Sequence, residues 1–124
     1  MTKLTTLVLL FFTFTSCGTQ KPRLNGADYW NKPADLTKVT YEGGDGKSIE
    51  NPISIKNAEN ERNGIASEYA YIAKLHGEKF KDWKPIGQST NTNNGRKIDT
   101  IKIQTIEKNE TITYFFDITD FYEK

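Results

Sequence analysis

The segment Asn91-Thr92-Asn93-Asn94-Gly95 lies between two extended runs, and it restricts the possible folds more than any other stretch of the chain. Asn-Gly accepts the positive φ that a tight hairpin needs, so the runs on either side, Trp83 to Thr90 and Lys97 to Glu107, are expected to pair antiparallel. Pro85 lacks the N–H that a central strand must donate, which places the first run at a sheet edge or makes Pro85 its opening turn. The second run alternates, with Ile98, Thr100, Lys102 and Gln104 on one side and Asp99, Ile101, Ile103 and Thr105 on the other; Ile101 and Ile103 mark the inward side. A second turn at Lys108-Asn109-Glu110 leads into Thr111 to Ile118. There Ile112, Tyr114, Phe116 and Ile118 share one face, and Phe115 is the single aromatic on a face otherwise made of Thr111, Thr113 and Asp117.

Upstream the pattern is more broken. Val39 to Glu42 reads as a short strand stopped by Gly43-Gly44-Asp45-Gly46, and Ile53-Ser54-Ile55 reads as another behind Pro52. From about Asn60 the period becomes helical, with Ile65, Tyr69, Ile72 and His76 forming one stripe flanked by Ala66 and Ala73. Gly77 is placed to close that helix in the αL conformation, and Glu61, Arg62, Glu68 and Lys74 are expected to face water. The order is therefore β-β-α-β-β-β, an α+β fold with one helix packed on an antiparallel sheet of about four to five strands. A chain of 124 residues has room for one such domain. With 35% hydrophobic, 27% charged and 12% aromatic residues it is polar, yet aromatic enough to form a core.

The first residues have a different purpose. Lys3 supplies a positive start, Leu4 to Phe14 an apolar stretch too short for the ~20 residues of a spanning helix, and Thr15 and Ser16 a small-residue end before the lone Cys17. This is the layout of a secretory signal. Phe14-Thr15-Ser16-Cys17-Gly18 resembles a bacterial lipobox, with Phe14 where Leu is usual, as in the looser boxes of Bacteroidetes lipoproteins. The resemblance implies cleavage after residue 16 and lipidation of Cys17. A single thiol in an exported protein has no intramolecular partner, and the acyl chains of such an anchor exceed the two-signal threshold for stable membrane attachment. Gly18 after the Cys resembles outer-membrane sorting, and Thr19, Gln20 and Lys21, which lack the acidic cluster of some surface-exported lipoproteins, imply the side facing the periplasm. Residues 17–38, broken by Pro22, Gly26 and Pro33, read as a tether, in which Tyr29 and Trp30 either pack back on the domain or rest at the lipid interface. Residues 39–124 form the domain. Loss of Lys3 with the signal leaves sixteen basic residues against sixteen acidic ones, so lipid, and not charge, must hold the protein at the membrane.

Sites are few. Gly46-Lys47-Ser48 looks like the end of a phosphate loop, but Tyr41 stands where the first Gly is required and Pro52 blocks the helix that must follow. One Cys and one His exclude disulfide frameworks and His/Cys zinc sites, and near neutrality gives no field for nucleic acid. His76, at the end of the helix stripe, is expected to be structural. Glu68, Asp99, Asp117 and Asp120 are carboxylates that sequence cannot bring together, and the last two are suited to punctuating the end of the final strand. No catalytic constellation, metal site or cofactor is recognisable. Residues that break their local rule are the candidates for binding: Gly43, Gly44, Asp45, Gly46 and Ser48 in the glycine loop, and Phe115, which otherwise packs under Trp83, Tyr29 or Trp30. Glu68 and Tyr71 are weaker candidates.

The stretches Glu42 to Pro52, Gly64 to Tyr69, Gly87 to Ser89 and Tyr114 to Ile118 resemble a small uncharacterised lipoprotein family of the Bacteroidetes, over roughly Tyr41 to Lys124. That resemblance implies a location and no activity. The expectation is a lipid-anchored cell-envelope protein, a non-enzymatic module that binds another envelope protein or a small ligand. The alternative is an inhibitor or immunity-type protein against an envelope hydrolase or toxin.

Overall fold

The computed structural model describes residues 33–124; Cys17, Tyr29, Trp30 and the rest of the signal and tether lie outside the described residues. Ala34–Lys124 form one compact unit, which begins five residues before the expected boundary at residue 39. Among the described residues the strands are β1 (Thr40–Gly43), β2 (Ile53–Lys56), β3 (Trp83–Asn93), β4 (Arg96–Thr105) and β5 (Thr111–Asp117), with one helix, α1 (Glu61–His76), between β2 and β3. The expected β-β-α-β-β-β order therefore holds. Asn94 and Gly95 take φ of 51° and 76° and form the two-residue turn between β3 and β4.

Sheet order is β1-β2-β5-β4-β3, so β3 is an edge strand, as Pro85 requires, and its register shifts between Pro85 and Gly87. One joint departs from the antiparallel expectation: β2 runs parallel to β5, through Ile53↔Phe116 and Ser54↔Asp117. A parallel joint needs a crossover connection, and α1 together with the β3–β4 hairpin supplies it. Gly43, Ile53, Phe116, Asp99 and Thr90 line up as successive partners in a row across all five strands.

Helix α1 starts where its sequence says. Asn60 is extended, and its side chain accepts from the Asn63 N–H at 2.8 Å, while Glu61 complements the positive end of the helix and Lys74 and His76 the negative end. Gly77 closes the helix with its N–H on the Ala73 carbonyl; its φ of 106° suits glycine, but ψ of −150° lies outside the expected αL basin. The buried face, however, is not the expected stripe. Asn63, Gly64, Ser67, Glu68 and Ile72 are buried, whereas Ile65, Tyr69 and His76 are only half-buried. The helix is turned by about 100°, one residue's rotation, from the orientation its largest apolar groups suggest.

Close approach explains that rotation. Gly64 meets the ring of Phe121, which the C-terminal turn folds back into the core; a Cβ on residue 64 would stand 2.3 Å from that ring. Ser67 is fully buried with its hydroxyl donating to the Asn63 carbonyl, and its own carbonyl accepts from the Tyr41 hydroxyl at 2.8 Å. Small residues bring the helix down onto Ile53, Ile55, Phe116 and Phe121, and Tyr71 sets its ring edge-on to Phe116 and Tyr114.

Ordinarily Gly→Ala inside a helix stabilises by about 1 kcal/mol. Gly64→Ala is expected to do the reverse, lowering stability by about 1–3 kcal/mol as the Phe121 ring is forced aside. Urea unfolding of the variant checks the sign.

Candidate functional site

The glycine loop and Phe115, selected separately in the sequence, are brought together. The Phe115 N–H donates to the Gly46 carbonyl at 2.8 Å, so the loop lies along β5 immediately ahead of its pairing with β2 at Phe116. The loop's own amides are engaged: Gly44 N–H on the Pro52 carbonyl, Gly46 N–H on that of Asn51, and Lys47 N–H on the Asp45 carboxylate. Gly46, at φ of 75°, packs so closely on Ile53 that a Cβ would come within 2.4 Å of its Cδ1, and Gly44 is as close to Asn51. These glycines are thus accounted for by a compact turn over β2, and Ser48 accepts within it from the Asn51 N–H. Gly43 pairs with Ile53 in the β1–β2 ladder. Phe115 is half-buried and pairs with Thr100 on the outer face of the sheet, whereas Trp83 lies in the core on the other face, so the expected packing of Phe115 under Trp83 does not occur.

Of the four carboxylates singled out in the sequence, two meet. Glu68, expected to face water, is 0% exposed, and the carboxyl group that it contacts is Asp99, 2% exposed, on β4. Asp99 accepts from the Thr90 hydroxyl directly across the β3–β4 ladder and from Gln88 Nε2 at 3.4 Å, and Gln88 Oε1 accepts from the Tyr69 hydroxyl at 3.3 Å. Neither Glu68 oxygen receives any N–H or O–H donor. Burial first, then the negative charge of the neighbouring Asp99 and a proton shared towards it, pushes the Glu68 carboxyl up to about 10, so that it is a neutral acid. Burial, and then the same two carboxyls, raise the Tyr69 hydroxyl as well. The other two carboxylates are structural. Asp117 accepts from Arg96 at 3.1 Å and from both the N–H and hydroxyl of Thr119, and Asp120 accepts from the Asn57 N–H.

A third region was not found from sequence. At the C-terminal end of α1, a cleft of about 360 Å³ is lined by His76, Lys81, Asp82, Thr105, Ile106 and Lys108, among others. Three short segments build it: the helix end, the loop between Gly77 and Asp82, and the β4–β5 turn. Trp83 Nε1 donates to the Gly77 carbonyl at 2.8 Å, Asp82 accepts from the Glu78 N–H at 2.7 Å, and Ile106 N–H donates to the Asp82 carbonyl at 3.0 Å, which fixes the loop against the turn. His76 Nε2 is 2.6 Å from the Tyr114 hydroxyl, whose pKa is raised by burial and by Tyr71. Ile106 stays 43% exposed at the rim, where side chains of both charge signs project. The cleft is therefore amphipathic and open, with one imidazole held at its wall. The only sequence signal was His76 at the helix end; the rest depends on two loops that meet in space.

Tyr114→Phe removes the contact that holds His76. The expected cost is about 1 kcal/mol of stability with an unchanged denaturant slope, measured by urea unfolding. No protein-family model, curated protein or solved structure matches the chain.

Proposed function

We propose that the chain is a lipid-anchored cell-envelope protein, attached through Cys17 at the outer membrane, whose α+β domain is a non-enzymatic binding module with the cleft beside His76 as its seat. What carries the reading is the polarity of the domain. The chain enters β1 at Thr40, which pairs with Lys56 and accepts from the Asn57 side chain, at the end of the sheet where α1 begins. The cleft lies where α1 ends, and a 16-residue helix is about 24 Å long. The cleft thus lies at the opposite end of the domain from Thr40.

Two further observations support binding over chemistry. Within the carboxyl pair, Glu68 and Asp99 are closed to solvent and offer no surface to a reactant. The cleft volume lies within the ~300–1,000 Å³ usual for small-ligand sites and also suits one side chain of a protein partner. Among the described residues no helix is long and apolar enough to cross a membrane, so in this reading attachment falls to the lipid on Cys17.

Two measurements test the proposal. Cys17→Ala is expected to abolish incorporation of labelled palmitate; label persisting in that variant refutes the anchor. Lys81 and Lys108 are exposed, so Lys81→Glu with Lys108→Glu is expected to change stability by no more than about 0.5 kcal/mol per site. Envelope partners captured by the wild-type protein should be lost from the double variant. Capture that survives the charge reversal rules out the cleft, and stoichiometric capture of one hydrolase or toxin through it identifies the protein as an inhibitor or immunity-type binder.

A further inference from the structure

Glu68 is a fully buried acid on α1, and it takes no part in the cleft. Its surroundings come from every layer of the domain. β4 brings Asp99, and β3 brings Thr90 and Gln88, both of which donate to Asp99 and neither to Glu68. The helix itself adds Tyr69, whose hydroxyl is occupied by Gln88. In the same cross-strand row, β5 and β2 bring only Phe116 and Ile53, which are apolar and fully buried, and β1 ends the row with Gly43. Asp99 thus has donors and no vacancy for repulsion, while both Glu68 oxygens lack any donor from the protein. Two carboxyl groups in such contact and in such a dry place cannot both be charged; a proton between them turns repulsion into a hydrogen bond.

We propose that the proton held between Glu68 and Asp99 is the clamp that fastens α1 to the sheet, making the domain an acid-stabilised fold that loosens from its helix as the pH rises. The geometry also gives the consequence of losing the proton. Two adjacent charges would be left behind Phe116 and Ile53, with Glu68 able to reach water only if the helix turns or lifts.

The sign follows from linkage. An unfolded Glu titrates near ~4.3, whereas folding moves Glu68 to about 10. Between these values the native state holds one proton more than the unfolded state, so stability is greatest below the lower value and falls steadily towards the upper one. One proton corresponds to a tenfold loss in the folding equilibrium per pH unit, about 1.4 kcal/mol. Tyr41, Tyr69 and Tyr114 are raised from an already high value and do not titrate in the window from about pH 5 to about pH 9.

The test is urea unfolding across that window for the full chain, with Glu68→Gln and Asp99→Asn beside it. Glutamine keeps the shape and donates to Asp99 without a titrating proton; asparagine removes the second carboxyl and leaves burial alone to raise Glu68. The wild type is expected to lose close to tenfold per pH unit more than Glu68→Gln, and the loss in Asp99→Asn is expected to level off at a lower pH than in the wild type. A wild-type profile as flat as that of Glu68→Gln, or an Asp99→Asn profile that levels off no earlier than the wild type, overturns the proposal. Should neither variant fold, infrared spectroscopy of the wild type decides: the carbonyl band of a buried protonated carboxylic acid is expected at neutral pH and should vanish with alkaline unfolding, and its absence at neutral pH overturns the clamp.

Discussion

The rotation of α1 about its own axis is the constraint on which the rest of the domain depends. It is set by a glycine and a serine, with no large apolar side chain needed: Gly64 admits the Phe121 ring, and Ser67 presents its carbonyl to the Tyr41 hydroxyl. With these contacts made, Glu68 has only one direction to point, inward to Asp99. The same rotation places Tyr71 over Phe116 and swings Tyr69 outward until its ring stacks on Trp83 at 6.3 Å. One close approach thus fixes the core, the carboxyl pair and the helix end that forms a wall of the cleft.

Strand order within the sequence was legible because its signals are local. The Asn94-Gly95 turn, the alternation in β4 and β5 and Pro85 on an edge strand each follow from a few neighbouring residues, and the structure has them all. Two features were not legible for a physical reason. The parallel β2–β5 joint depends on which edge of β5 is left open after the β4–β5 hairpin has formed, and no local pattern encodes that choice. The buried helix face departs from the apolar stripe because hydrophobicity alone does not set burial. Ile65 and Tyr69 carry more apolar area than Gly64 and Ser67, but area is gained only where a neighbour can approach, and Phe121 approaches the glycine. The pairing of Glu68 with Asp99 follows from the same rotation and has no local signal of its own.

The glycine loop illustrates the opposite case. Three glycines and an acidic residue in a short loop are a reasonable signal for a ligand approached by backbone amides, and the structure explains them through the chain's own needs. The amides of Gly44, Gly46 and Lys47 satisfy Pro52, Asn51 and Asp45, and the loop's carbonyl at Gly46 extends the sheet to Phe115. A loop whose donors are already engaged has little left with which to hold an anion. Phe115, half-buried on the outer face, then adjoins a turn with a structural purpose.

Burying an unpaired charge would cost more than a domain of this size can offset, since total stability is commonly only about 5–15 kcal/mol. The domain retains Glu68 by keeping it neutral, and this makes a core contact dependent on solvent acidity, which an aliphatic residue at the same place would not do. The cost is limited because the acid sits midway along α1, between two ends that are held independently: Asn60 caps one, and Gly77, tied to Ala73 and Trp83, closes the other. Loss of the proton therefore acts first on the middle of the helix. The β4–β5 ladder and the hairpin of β3 and β4, whose contacts do not pass through Glu68, hold the sheet side of the cleft in place, and the Gly77 closure holds His76 at its other wall.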